Sequence, residues 1–123
     1  MADPEPIPTI LVTGASAGAR ETRIAKAIAD QPAALVAVLM EGVPDGRAPL
    51  ENRSGLQIAR VASGCLCCTG NLVMKVTLNR LLRQRPTRMF IGIASTDHLP
   101  RVKQLLSSAP YSTLIRLESD LSA

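Results

Sequence analysis

Aromatic side chains are almost missing from this sequence: its 123 residues include one Phe, one Tyr and no Trp. Modules that grip single-stranded nucleic acid by stacking bases need several exposed rings. Phe90 lies inside an apolar run and Tyr111 stands alone, so that class is excluded. A core without rings must be built from Ala, Val, Ile and Leu, which favours helices packed closely on a sheet. Long hydrophobic runs are missing too. No stretch approaches the roughly 18 uncharged apolar residues of a membrane span. Residues 1–8 are acidic and proline-rich, without the basic and apolar segments of a secretory signal. Charge of one sign is only mildly in excess, with 14 Lys+Arg against 10 Asp+Glu. The densest basic stretch, Arg80, Arg83, Arg85 and Arg88, falls at the end of a predicted helix, where cations complement the helix dipole. No nucleic-acid motif accompanies it, so it reads as a solvated face. Neither nucleic acid nor membrane is expected as a partner, and a cytoplasmic location is. In that compartment clustered thiols stay reduced and read as metal or redox ligands.

What is present suits one compact unit: 46% of residues are hydrophobic and 20% charged. A proline-rich leader over 1–8 and a single domain over 9–123 are expected. Apolar runs at 9–13, 35–40, 56–62, 89–94 and 113–117 read as strands. Between them, 21–30, 72–84 and 99–108 carry helical spacing, closed by Pro32 and Pro86 in the first two cases. In the first helix the stripe is Ile24, Ala25, Ile28 and Ala29. Residues 41–54, with Gly42, Pro44, Gly46 and Pro49, read as a loop. Strands alternating with helices predict a three-layer α/β fold, a parallel sheet of about five strands flanked by helices. Ligands bind such sheets beyond the carboxyl ends of the strands.

Two stretches sit at those ends. After the first strand comes Thr13-Gly14-Ala15-Ser16-Ala17-Gly18-Ala19-Arg20-Glu21-Thr22, where glycines and a helix N-terminus favour a phosphate. Gly14, Gly18, Ala19, Arg20, Glu21 and Thr22 are the candidate nucleotide-binding residues. Against the phosphate-loop pattern G-x-x-x-x-G-K-[ST], Ala19 stands at the second glycine, Arg20 at the lysine and Glu21 at the hydroxyl that holds Mg²⁺. Against the T-G-x-x-x-G-x-G loop of short-chain dehydrogenases, Arg20 replaces the last glycine. A carboxylate at Glu21 adds repulsion where a phosphate needs attraction, and Glu21 is expected to stand in for that phosphate. A tight turn holding no ligand is the plain alternative. The second stretch, Ser63-Gly64-Cys65-Leu66-Cys67-Cys68-Thr69-Gly70, gathers all three cysteines of the chain. Thiolates at this spacing suit Zn²⁺ or Cu(I), with a fourth ligand or a water completing the zinc set. Thiol redox chemistry and plain packing are the alternatives.

Gly64-Cys65-Leu66-Cys67-Cys68-Thr69 matches G-C-x-C-C-T, the signature of the CobW-type P-loop GTPases, a metallochaperone-like group that this chain resembles. The opening Ile7-Pro8-Thr9-Ile10-Leu11-Val12-Thr13-Gly14 and the helix carrying Leu81-Leu82 are similar to that family as well. Phe90-Ile91-Gly92-Ile93-Ala94-Ser95-Thr96-Asp97-His98 resembles its I-E-x-S/T-G-x-x-H/D segment, with Gly92 at the family's Glu and Ser95 at its Gly. Of the N-E-x-G switch, only Glu41 matches, and no N/S-K-x-D guanine-reading motif occurs. The resemblance implies a CobW-like metal site, zinc on Cys65, Cys67 and Cys68 with His98 as fourth ligand, on a G-domain half poor in GTP and Mg²⁺ chemistry. Glu41 and Asp97 compete with His98 as oxygen ligands. The expected function is a zinc-binding or zinc-transfer module, more a pseudo-GTPase than an enzyme, and it names no catalytic residue. The alternatives are a nucleotide-binding GTPase-like protein or a dinucleotide-binding Rossmann protein. The Tyr-x-x-x-Lys pair of short-chain dehydrogenases is absent, since Ile115 follows Tyr111 at that spacing. A protein partner or a second copy of the chain is a further expected binder.

Overall fold

The computed structural model describes residues 5–42, 54–61 and 72–123. Its elements are β1 (Ile7–Thr13), α1 (Ala17–Asp30), β2 (Val36–Glu41), β3 (Leu56–Val61), α2 (Leu72–Arg83), β4 (Arg88–Ile93), α3 (Leu99–Leu106), α4 (Tyr111–Leu114), β5 (Ile115–Leu117) and β6 (Leu121–Ser122). The strands form one sheet in the order β3-β2-β4-β1-β5, with β6 also beside β1. Every pairing is parallel. This is the expected α/β fold, and it is consistent with a P-loop-like domain.

Parallel strands covered on both faces must be apolar at successive positions rather than alternate ones. β2 meets that demand, with all six residues buried, and so does β4 from Met89 to Ile93. Register sorts these residues into two cores. Leu11, Leu39 and Ile91 lie side by side across β1, β4 and β2 and face α2 and α3, packing with Met74, Leu78, Leu81, Val102 and Leu106. Ile10, Phe90 and Val38 form the neighbouring row and face α1, packing with Ile24 and Ala27. The helices thus lie on both faces of the sheet.

Most boundaries shift by one or two residues, and two elements depart further from expectation. α1 begins at Ala17, four residues before the expected start at 21, because the Ser16 side chain caps it by accepting from the Ala19 N–H at 3.0 Å. Its buried stripe is Arg20, Glu21, Ile24 and Ala27, so two charged residues hold the first turns while Ala29 faces out. The expected last strand is split. Residues 111–114 form a helical turn, β5 keeps only Ile115–Leu117, and β6 continues beside β1 after a break. Lys103 of α3 pairs with Asp120 at that break, 2.7 Å apart.

The basic stretch behaves as a solvated face in part. Arg80, Arg83 and Arg85 are exposed. Arg88 instead lies over the Phe90 ring, 4.8 Å from its centroid, and donates to the Gln31 carbonyl at 2.9 Å. No described helix is long and apolar enough to cross a membrane.

Candidate functional site

In a parallel sheet all the carboxyl ends point one way, and here the ends of β1, β2 and β4 bring together Gly14, Arg20, Glu41, Ala94 and His98. Each arrives for a local reason. Gly14 follows β1, at a point where a side chain has no room: a β-carbon there would lie 2.6 Å from the Ala123 Cβ and 3.2 Å from the Arg20 Cγ. Ala123 is held at this spot by its own N–H, which donates to the Thr13 carbonyl at 2.7 Å. Close approach of the strand beside β1 is therefore sufficient reason for a glycine.

Arg20 turns inward from α1 and is 3% exposed. Its Nη1 donates to the Gly14 carbonyl at 2.8 Å and its Nη2 to the Glu41 carbonyl at 3.0 Å. The guanidinium thus ties the ends of β1 and β2 together. Burial lowers its pKa from the ordinary arginine value, and the Glu41 charge partly restores it. Its Nε is buried without a hydrogen-bond partner.

Glu21 is fully buried and points away from that tie, toward β3, where Arg60 grips it with two hydrogen bonds of 2.6 and 3.1 Å. The carboxylate expected to stand in for a phosphate is thus held by a cation of its own. Gly18 and Ala19 lie in the first turn of α1 and are half-buried, and Thr22 is exposed. The expected nucleotide-binding residues are therefore distributed over the strand end, the first turns of α1 and its outer face. Arg60 was missed by sequence reasoning. Its signal is parity, since Arg60 follows Leu56 and Ile58 on the face of β3 that α1 covers.

Glu41 is the last residue of β2 and is fully buried. The chain leaves it through Gly42 at φ 102, a left-handed conformation that suits glycine. One carboxylate oxygen, Oε1, accepts from the Ala94 N–H at 2.7 Å. The other, Oε2, lies 3.6 Å from His98 Nδ1. Neither β4 nor Ala94 and Ser95 after it carry a carboxylate, so the acid at the end of this strand is supplied from β2. Gly92, where the resemblance puts the family's Glu, is covered by Met40: a β-carbon there would meet its Sδ at 2.9 Å. His98 ends the 3₁₀ turn Thr96–His98, whose Asp97 N–H is capped by the Ser95 side chain at 3.1 Å, and the turn runs directly into α3. Asp97 itself is exposed.

Cys65, Cys67 and Cys68 lie outside the described residues. Among the described residues, no group of three or more His, Cys, Asp and Glu side chains gathers as a metal cluster. Connectivity fixes the anchors: Val61, last residue of β3, pairs with Glu41 of β2, and Cys65 follows it by four positions. Glu41, at the carboxyl end of the strand beside that anchor, and His98, 3.6 Å from it, are described groups with metal-ligating atoms.

Over 69 residues, 55% of this chain, the sequence is 36% identical to the zinc chaperone YeiR of Escherichia coli (strain K12). The match spans 21% of that protein, so the matched part of this chain corresponds to about a fifth of its length. No protein-family profile and no solved structure matches the chain.

Proposed function

We propose that the protein binds zinc, or a metal of similar preference, and hands it on. The ligands are Cys65, Cys67 and Cys68 as thiolates, with His98 as the nitrogen donor. The observation that carries this reading is the complete Gly64-Cys65-Leu66-Cys67-Cys68-Thr69 motif in a chain similar to a zinc chaperone. Three thiolates and an imidazole match the tetrahedral preference and softness of zinc. Thiols must lose protons to bind, so affinity falls on acidification.

The same reading takes the α/β domain as a scaffold deficient in GTP hydrolysis. Arg20 and Glu21, at the positions of the phosphate-loop lysine and hydroxyl, are engaged with Gly14, Glu41 and Arg60. That engagement is what supports the reading. Titration of the purified, reduced protein with zinc against a chromophoric chelator tests the metal half. Cys67→Ser and Cys68→Ser should each weaken binding strongly, and unchanged affinity in both ends the proposal. Titration with GTP and with ATP in Mg²⁺ tests the scaffold half, where micromolar affinity for either would contradict it.

A further inference from the structure

Glu41 has a more specific part at this site than that of a competing oxygen ligand. Its carboxylate is fully buried, and Oε1 is already committed to the Ala94 N–H at 2.7 Å. Oε2 faces His98 Nδ1 at 3.6 Å, and Nδ1 is buried without a hydrogen-bond partner. The His98 side chain nevertheless keeps 23% of its surface, so the part of the residue that meets solvent is not the Nδ1 edge. A neutral imidazole carries one proton, on one nitrogen or the other. With the proton on Nε2, the Nδ1 lone pair would face a carboxylate oxygen, a repulsive arrangement. With the proton on Nδ1, the N–H dipole points at Oε2, about half an ångström beyond hydrogen-bonding range, and the Nε2 lone pair is turned away from Glu41.

We infer that Glu41 is a positioning residue that holds His98 in the Nδ1–H form and so presents Nε2 as the nitrogen ligand for zinc. The inference rests on the zinc-binding reading and adds to it which nitrogen binds and what selects it. A carboxylate behind a ligating histidine fixes ring orientation and tautomer and raises the basicity of the metal-facing nitrogen. Coordination at Nε2 in turn strengthens Nδ1–H as a donor, which draws it toward Oε2. The His98 backbone is helical where it enters α3, so only the side chain needs to adjust.

His98 is the one histidine of the chain, so its ring nitrogens can be read without assignment ambiguity by long-range ¹⁵N–¹H NMR. The zinc-free protein with a neutral imidazole should show the Nδ1–H form, and added zinc should move Nε2. Glu41→Gln keeps an oxygen for the Ala94 N–H and turns an amide N–H₂ toward Nδ1, so the ring should switch to the Nε2–H form. Zinc affinity in that variant should fall about 10–100-fold, with the Ala94 amide resonance still reporting an intact strand end. His98→Ala should fall at least as far. A zinc-free wild type in the Nε2–H form, or a Glu41→Gln variant with unchanged tautomer and affinity, overturns the inference. If Cys67→Ser abolishes binding while zinc leaves the His98 ring unmoved in the wild type, the thiolate reading stands and this one fails. If zinc moves Nε2 and Cys67→Ser has no effect, the thiolate reading fails and this one stands.

Discussion

Removing Arg60 should destabilise the protein more than removing its partner Glu21, although both substitutions break the same two hydrogen bonds. Glu21 is fully buried in the first turns of α1, whereas the Arg60 side chain on edge strand β3 keeps 29% of its surface. Arg60→Met takes from a fully buried carboxylate the guanidinium that grips it. Breaking a fully buried pair this way costs about 3–5 kcal/mol, and partial exposure of Arg60 discounts that to about 2–3 kcal/mol. Glu21→Gln leaves the guanidinium able to rotate into solvent and keeps a carbonyl for it to donate to, so about 1 kcal/mol is expected. The double variant carries neither charge at this point and should be more stable than Arg60→Met alone. In a chain of this length about 4 °C of melting temperature accompanies each kcal/mol, so Arg60→Met should melt roughly 8–12 °C lower. Urea unfolding of the four proteins gives the cycle directly. Equal costs for the two single variants, or strict additivity in the double, would refute the reasoning, because either result means that the Glu21 carboxylate does not depend on Arg60 for its burial.

Three further outcomes follow from the same geometry. Arg85 closes the turn after α2 at φ 53, where a residue with a β-carbon is strained by about 1 kcal/mol; Arg85→Gly should raise the melting temperature by a few degrees in thermal unfolding, and an unchanged or lower value contradicts this. Burial raises the Tyr111 phenol pKa above 10.0, and its hydroxyl donates to Asn79 Oδ1 at 2.9 Å. The unfolded chain then ionises first, so stability should hold below about pH 10 and fall as pH rises through the folded value. Tyr111→Phe should flatten that fall while costing about 1 kcal/mol at neutral pH, and tyrosinate absorbance in a chain with one Tyr and no Trp reports the ionisation. Gly14→Ala should cost about 1–3 kcal/mol by overpacking against Ala123, and Ala123→Gly should recover part of it. A cost that Ala123→Gly leaves untouched would place the glycine's role elsewhere.

The sheet was legible because its strands are buried on both faces. Runs such as Val36 to Met40 and Met89 to Ile93 need no alternation to be recognised, and their termini were misplaced by one or two residues. Other boundaries were obscured by single side chains. Ser16 starts α1 early, and a Ser in a Gly/Ala-rich turn looks like more turn until its contact with the Ala19 N–H is seen. β6 escaped because its two residues, after Glu118, Ser119 and Asp120, carry no periodicity. At the candidate site, residue types were legible but their pairings were not. Arg20 and Glu21 adjoin in sequence and point to different partners, Gly14 and Glu41 for one and Arg60 for the other. Charged residues near the start of a helix are ordinarily solvated, and nothing local marks these two as buried. Glu41 stood out as the one match to the N-E-x-G switch, yet the 53-residue separation to Ala94 hides its use.

Phosphate affinity at this edge can be bounded from what the polar groups already do. An anion drawing the Arg20 guanidinium to itself must first break its bonds to the Gly14 and Glu41 carbonyls. Each is worth about 0.5–1.5 kcal/mol net, so the pair opposes binding by about 1–3 kcal/mol, or roughly five- to 150-fold in affinity. The freed carbonyls, one of them on a residue whose carboxylate is fully buried, would then lose these donors at the ends of β1 and β2. The phosphate-loop pattern has a lysine at this position, and a compact ammonium lacks the planar fork that here spans two carbonyls. The contrast assigns the change to position 20 rather than to the loop as a whole: an arginine long enough to reach the end of β2 holds the sheet edge together. The shorter ammonium side chain of an Arg20→Lys variant would lose one of the two carbonyls. If nucleotide binding depends on release of this tie, that variant should bind Mg²⁺–GTP more tightly than the wild type while unfolding at lower urea, and an affinity no higher than the wild type's would place the obstacle to phosphate elsewhere in the loop.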